Sequence, residues 1–227
     1  MTLEKLGRAL VLFFVACGVL ANSAMATPET KSGKTWFKNG TEIAAGADVS
    51  TSCHARPGTM VTFHGTIAGA NVTITATGVQ CLNAMLTNDS SPMAPTESDQ
   101  LRFTGVTVEA PAGCTVPSTL TSKTLKGEIY GDSAVGSRFY ERLAPAEEGT
   151  TLLTIPIEGC ALEGSYPLKG VLYSRATLST GVESESQEFV SDEETSKFGG
   201  LTLAGNAAFV TRSFIVQLVG TGTFQVH

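Results

Sequence analysis

Histidine, tryptophan and basic residues are scarce in this chain. Three His, one Trp and five Cys stand among 227 residues. That is little material for a metal or redox centre, and no cofactor or metal site is expected. Lys and Arg number 15 against 21 Asp and Glu, giving a formal net charge of −6. A nucleic-acid binder needs a basic face, so no nucleic-acid partner is expected. Charged residues make up only 16% while apolar residues make up 42%, the reverse of a disordered composition. A helical bundle would be rich in Ala, Glu, Lys and Leu. Here Thr, at 30 residues, and Gly, at 24, stand out instead.

The first 26 residues read as an export signal. Lys5 and Arg8 supply a positive start, Ala9 to Ala21 is apolar, and Ala24-Met25-Ala26 fits the small-x-small pattern of a cleavage site. The apolar run is 13 residues long, short of the roughly 20 that a membrane-spanning helix needs. No later run is long enough either, so no integral span is expected in the mature chain. It would begin at Thr27 and be secreted or held in the cell envelope. An alternative is a lipoprotein anchored through Cys17, since Phe14-Val15-Ala16-Cys17 loosely resembles a lipobox.

Export changes how the other cysteines read. Cys53, Cys81, Cys114 and Cys160 form an even set, and an oxidising compartment favours two disulfides. Three connectivities are open to four cysteines; pairing neighbours, Cys53–Cys81 and Cys114–Cys160, is the expectation. No Cys-x-x-Cys pair occurs to suggest zinc.

Period-two alternation runs through the mature chain. Val61, Phe63 and Ile67 alternate with Thr62, His64 and Thr66; Val72, Ile74 and Ala76 with Thr73, Thr75 and Thr77; Phe214, Val216 and Leu218 with Ile215, Gln217 and Val219. Half-buried strands have this pattern, with β-branched Thr suited to the outer face. Asn39-Gly40, between Trp36-Phe37-Lys38 and Thr41-Glu42-Ile43, reads as a tight type I′ hairpin. The apolar phase flips across Gly78 and again across Gly105, which is the mark of a β-bulge. Pro156 places its strand at a sheet edge. The expected fold is all-β: an antiparallel β-sandwich, or alternatively a β-barrel, of about ten or eleven strands. Residues 27–34 would be a loose tail and 35–227 one β domain. A long Ser-, Pro- and Asp-rich loop over 88–99 marks a possible subdomain break. Pro145 limits residues 141–148 to at most one helical turn.

Catalytic constellations are weak. His54, His64 and His227 are the histidines available to a nucleophilic triad, and no Gly-x-Ser-x-Gly elbow occurs. Glu109, Glu128, Glu158 and Glu163 are the carboxylates a glycosidase would pair. Glu183 to Glu194 carries six acids without a base; it fits no calcium loop and reads as a solvated acidic loop. Three Asn-x-Thr/Ser tripeptides, at Asn39, Asn71 and Asn88, arise readily in a Thr-rich chain and carry no weight. Trp36, beside the hairpin turn, is the candidate ligand platform, together with Phe37, Tyr130, Tyr140 or Tyr173.

The runs Thr77-Gly-Val-Gln-Cys81-Leu-Asn-Ala, Leu101-Arg-Phe-Thr-Gly-Val-Thr-Val108, Ala112-Gly-Cys114-Thr-Val, Ile157-Glu-Gly-Cys160-Ala-Leu-Glu-Gly-Ser-Tyr-Pro-Leu-Lys-Gly-Val171 and Gly199-Gly-Leu-Thr-Leu resemble a group of uncharacterised secreted β-rich proteins of bacteria, abundant in soil actinobacteria. The resemblance implies export and an all-β fold and implies no activity. The layout of a Cys, two Gly/Thr-rich strands and a second Cys is also similar to the exported activator of alkane oxidation, whose role is tied to surface or matrix properties. The leading expectation is an exported non-enzymatic surface or matrix protein. It would be structural or adhesive, or would bind a polysaccharide, a matrix protein or a hydrophobic ligand. The alternatives are a secreted hydrolase whose site assembles only in three dimensions, and a barrel that carries a small apolar ligand.

Overall fold

Alternating apolar and Thr positions become strands because one face of each can be buried while the other meets water. The computed structural model describes residues 28–29, 34–88, 96–132, 135–147, 149 and 151–227. The expected export signal, Cys17, most of the expected 27–34 tail and residues 89–95 of the expected loop lie outside them. In chain order the strands are β1 (Pro28–Glu29), β2 (Trp36–Lys38), β3 (Thr41–Glu42), β4 (Val49–Ala55), β5 (Val61–Ile67) and β6 (Ala70–Thr87). There follow β7 (Thr96–Ala110), β8 (Thr119–Thr121), β9 (Leu125–Asp132), β10 (Phe139–Pro145), β11 (Thr151–Ile157) and β12 (Gly164–Lys169). Then come β13 (Leu172–Ala176), β14 (Ser186–Ser191), the helix α1 (Glu193–Phe198), β15 (Thr202–Leu203), β16 (Asn206–Ala207), β17 (Phe209–Leu218) and β18 (Phe224–Val226). Eleven of these strands have five residues or more, in line with the ten or eleven expected. The other seven are pairings of two or three residues, too short to show alternation.

Eleven strands form one antiparallel sheet. Eight of them close on themselves in the order β4-β6-β7-β9-β10-β13-β14-β17 and back to β4. The closing seam is short: Thr96 to Asp99 of β7 pair with Leu125 to Glu128 of β9. β4 and β5 fill the same gap in succession, β4 against the C-terminal half of β17 and β5 against its N-terminal end. At the β5 end a four-stranded sheet, β11-β12-β15-β16, adds a second layer. There Leu152, Leu153, Ile155, Leu168, Leu201 and Leu203 join Val61, Phe63, Phe103 and Val210 in one buried core. The barrel and sandwich expectations therefore each describe one end of the molecule. β11, which carries Pro156, is an edge strand of its sheet.

β6 and β7 are the long strands that link the two ends. Their apolar phases flip at Gly78 and Gly105 as expected, with Ala76 and Val79 buried on one strand and Phe103 and Val106 on the other. The cause differs from a bulge. Ala76 pairs with Val106 and Gly78 with Thr104, so no residue is inserted. Instead the flip falls where each strand has a glycine packed against the threonine of its partner. A Cβ on Gly78 would sit 2.6 Å from Thr104 Oγ1, and a Cβ on Gly105 would collide with Thr77 Oγ1. Gly105 also has φ +58°, a conformation that costs little only without a side chain.

Other expectations change. β6 and β7 form one hairpin, and β7 begins at Thr96, so residues 96–99 are strand and the same ladder runs on both sides of the expected subdomain break. Pro28 and Glu29, placed in the loose tail, pair with Asp132 and Gly131. Residues 139–145 are strand rather than a helical turn. The Glu183–Glu194 segment is no loop: it contains β14 and the start of α1. Asp192 caps α1 by accepting from the Thr195 amide at 2.8 Å, and the Thr195 hydroxyl closes a capping box. Glu188 accepts from Arg56 at 3.0 Å. The acids of this segment are thus distributed between a strand and a helix start, where negative charge is favourable. Asn39 and Gly40 have φ of 50° and 72°, as a type I′ turn requires.

Candidate functional site

The four cysteines form the two disulfides expected of them. Cys53–Cys81 ties β4 to β6, and Cys114–Cys160 ties the turn after β7 to the turn after β11. Trp36, the expected platform, is a correction. It is 1% exposed and packs on Phe224 with ring centroids 5.8 Å apart. Buried Asn88 explains why. Its side chain accepts from the Trp36 amide at 2.8 Å and donates to the Trp36 and Ile43 carbonyls at 3.0 and 2.8 Å. This clamp holds the hairpin down with Trp36 beneath it, and it also occupies one of the three glycosylation-type asparagines.

The histidines do not converge. His54 lies on β4 opposite Ile215 and Gln80. His64 stacks on Phe209 at 4.3 Å, and burial lowers its pKa against the opposing pull of Glu193. His227 meets the edge of Phe37 at 5.0 Å. Of the four carboxylates, Glu109 accepts from Thr75 at 3.1 Å. Glu158 bridges to Thr115 through its backbone, and Glu163 is exposed in the β11–β12 turn. Among the described residues, no three of His, Cys, Asp and Glu gather as a metal site would require.

Only Glu128 of that set belongs to a built site. β9 turns Lys126, Glu128 and Tyr130 to one face, and β10 pairs Arg142 directly opposite Glu128. The carboxylate is 5% exposed yet faces away from the barrel interior. Arg142 donates to it at 2.9 Å, the Tyr130 hydroxyl donates at 3.2 Å, and the Lys126 ammonium lies 3.6 Å away. Burial and the neighbouring Glu128 charge push the Tyr130 phenol up to about 12. Burial also raises Tyr173, with Arg142 opposing. Beside this cluster opens a cleft of about 650 Å³, walled by Pro145 and Ala146 on one side and by Lys169, Gly170 and Val171 on the other.

The second wall is fixed by close backbone packing. The Val171 amide donates to the Gly199 carbonyl at 3.0 Å. A Cβ on Gly170 would lie 2.8 Å from the Gly200 carbonyl oxygen, and one on Gly199 would collide with the Val171 carbonyl. The Gly199-Gly200 pair after α1 therefore sets where Lys169 stands. Three cations and one carboxylate line the cleft, a local excess of positive charge in a chain of net charge −6. The lining carries no aromatic ring and no cysteine. It offers donors from Lys and Arg and a fixed acceptor in Glu128, which suits recognition of a polar anionic ligand.

The barrel interior holds a buried polar cluster among its apolar side chains. Arg212 and Glu141 form a buried pair at 3.3 Å, their side chains 0% and 2% exposed. Arg212 also donates to Ser174 at 2.8 Å and Ser191 at 3.2 Å and lies 4.1 Å from the centre of the Phe214 ring. Alternation holds the signal for both: Arg212 shares the phase of Val210 and Phe214, and Glu141 that of Phe139 and Leu143. The apolar void between Phe63, Leu125, Leu168 and Arg212 measures about 30 Å³. That is room for one water, whereas ligand chambers run to about 300–1,000 Å³, so this void is no carrier's chamber. Among the described residues the large exposed apolar side chains are Met60, Val135, Val182 and Val219. They sit on four separate connections and make no aromatic platform. No helix among the described residues is long and apolar enough to cross a membrane.

No family model, curated protein or solved structure matches this chain. Its own geometry is therefore the ground for any functional reading.

Proposed function

We propose that this protein is an exported, non-enzymatic protein of the cell surface or extracellular matrix that binds a polysaccharide bearing acidic groups. The observation that carries the reading is the cleft lined by Lys126, Arg142 and Lys169, with Glu128 held by the first two. Acidic sugars present carboxylates that need cationic donors and hydroxyls that need acceptors, and this lining supplies both. Only four large apolar side chains are exposed among the described residues, on four separate connections, which favours such a polar partner over a hydrophobic one. Two disulfides suit an oxidising compartment.

Polygalacturonate and neutral dextran separate the charged reading from sugar binding in general. In affinity electrophoresis, polygalacturonate is expected to retard the protein and dextran to leave it unmoved, with retardation fading as salt rises. Lys169→Glu is expected to weaken retardation without changing the circular dichroism spectrum, since Lys169 is exposed. Equal behaviour in the two gels, or retardation indifferent to Lys169→Glu, would overturn the proposal.

A further inference from the structure

We infer that the cleft is one half of a longer groove, and that its ligand is a polymer of acidic sugars spanning two adjoining hollows. The inference rests on the polysaccharide reading above. A second hollow, of about 260 Å³, is lined by Lys123, Thr124, Ala146 and Glu147. Ala146 also lines the first cleft, so the two hollows meet at that residue. The backbone holds them in fixed relation. The Ala146 amide donates to the Thr124 carbonyl at 2.9 Å, and the Lys123 amide donates to the Leu152 carbonyl at 2.9 Å. Residues 123–124 are thereby tied to the end of β10 on one side and to β11 on the other.

The pattern repeats across the junction. In the first hollow cations flank Glu128; in the second Lys123 stands with Glu147 and Thr124. Each hollow thus offers a cationic donor together with a carboxylate acceptor. A chain of uronate units repeats the complementary pair, a carboxylate and ring hydroxyls, along its length. A deoxynucleotide phosphodiester backbone asks only for donors and brings no hydroxyls for the groove carboxylates to accept from. Four of the scarce basic residues, Lys123, Lys126, Arg142 and Lys169, line this groove, in a chain whose overall charge disfavours any polyanion that lacks such a track.

The test measures binding of digalacturonate and octagalacturonate to the full chain and to Lys123→Glu by isothermal titration. Lys123 is exposed, so its replacement leaves the fold intact. The octamer is expected to bind the unaltered protein about tenfold more tightly than the dimer, as one or two further surface ion pairs would give. Lys123→Glu is expected to abolish that advantage, bringing the octamer down to the affinity of the dimer. An octamer advantage that survives Lys123→Glu, or no advantage at all, overturns the groove while the first cleft stands. Failure of both oligomers to bind the unaltered protein overturns the parent reading as well. A single-stranded oligodeoxynucleotide serves as the competing polyanion, and tighter binding of it than of the octamer would overturn the sugar assignment.

Discussion

The two ends of the long strands solve the same problem with different chemistry. At the sandwich end, β5, β6, β7 and β17 are covered by a second sheet, and the space between is filled by Phe63, Phe103, Ile155, Leu203 and their apolar neighbours. Phe63 and Phe103 meet edge to face at 5.1 Å. At the barrel end the same β17 continues inward with Arg212, which joins Glu141, Ser174 and Ser191 across the ring. A second layer can be packed with aliphatic groups alone. A closed ring has a fixed circumference, and hydrogen bonds across its interior tie particular strands together. Each end also has one disulfide, Cys53–Cys81 in the ring and Cys114–Cys160 at the sandwich.

The sharpest way to break this contrast is to remove one group from each core. Arg212→Ala strips the counter-charge from a carboxylate that is 2% exposed, and is expected to cost about 3–5 kcal/mol in urea unfolding. Phe103→Ala at the other end should cost a similar ~3–5 kcal/mol by leaving a cavity. The rescue separates them. Glu141→Leu with Arg212→Met should recover most of the loss, because well-packed apolar groups replace buried ion pairs at little net cost. A double variant as unstable as Arg212→Ala would show that the pair is needed for ring closure itself.

The disulfides sharpen the comparison next. Cys114 and Cys160 are separated by 46 positions and Cys53 and Cys81 by 28. Chain entropy then predicts losses of about 4 and about 3.5 kcal/mol when each pair is replaced by Ser. A much smaller loss at one end would identify the end already constrained in the unfolded chain. At the phase flip between the ends, Gly105→Ala combines positive φ with a collision against Thr77 and is expected to cost about 1–3 kcal/mol. Adding Thr77→Ala should relieve the collision but leave the backbone strain, so a full recovery would refute the role given to φ.

The smallest effect is a pH dependence on the outer face of the ring. The Tyr130 phenol titrates near 12 in the fold against an ordinary 10. Above the ordinary value the unfolded chain loses its proton while the fold keeps it. Stability should therefore fall from about pH 10 upward and level off once the folded phenol also ionises. Tyr130→Phe should flatten that decline, as read by thermal unfolding across alkaline pH. His64 works in the opposite window. Its depressed pKa means the unfolded state takes a proton first as pH falls below about 6.5, so stability drops on the acid side.

Much of the fold was legible as alternation, and the site was not. The phases of β5, β6 and β17, the Asn39-Gly40 turn and the slips at Gly78 and Gly105 are all local patterns. The proposed groove draws Lys123 from the β8–β9 connection, Lys126 and Arg142 from two strands and Lys169 from a strand end. None of these carries a motif, and a net charge of −6 hides a small basic track inside an acidic total. Trp36 misled for the converse reason: a turn neighbour is exposed by default, and only the distant Asn88 draws it under. The α1 helix has six residues, too few to display a helical period, though its Asp192-x-x-Thr195 cap was there to be read.

The sequence by itself determined the strand periods, the turn and phase-flip positions and the parity of the cysteines, because each depends on residues a few positions apart. Tertiary structure alone decided that β7 would pair with β9 to close a ring, that Cys53 would meet Cys81, and that Arg142 would stand opposite Glu128. Those outcomes depend on which strands become neighbours. That choice is made by the burial of whole faces at once, and no single segment contains it.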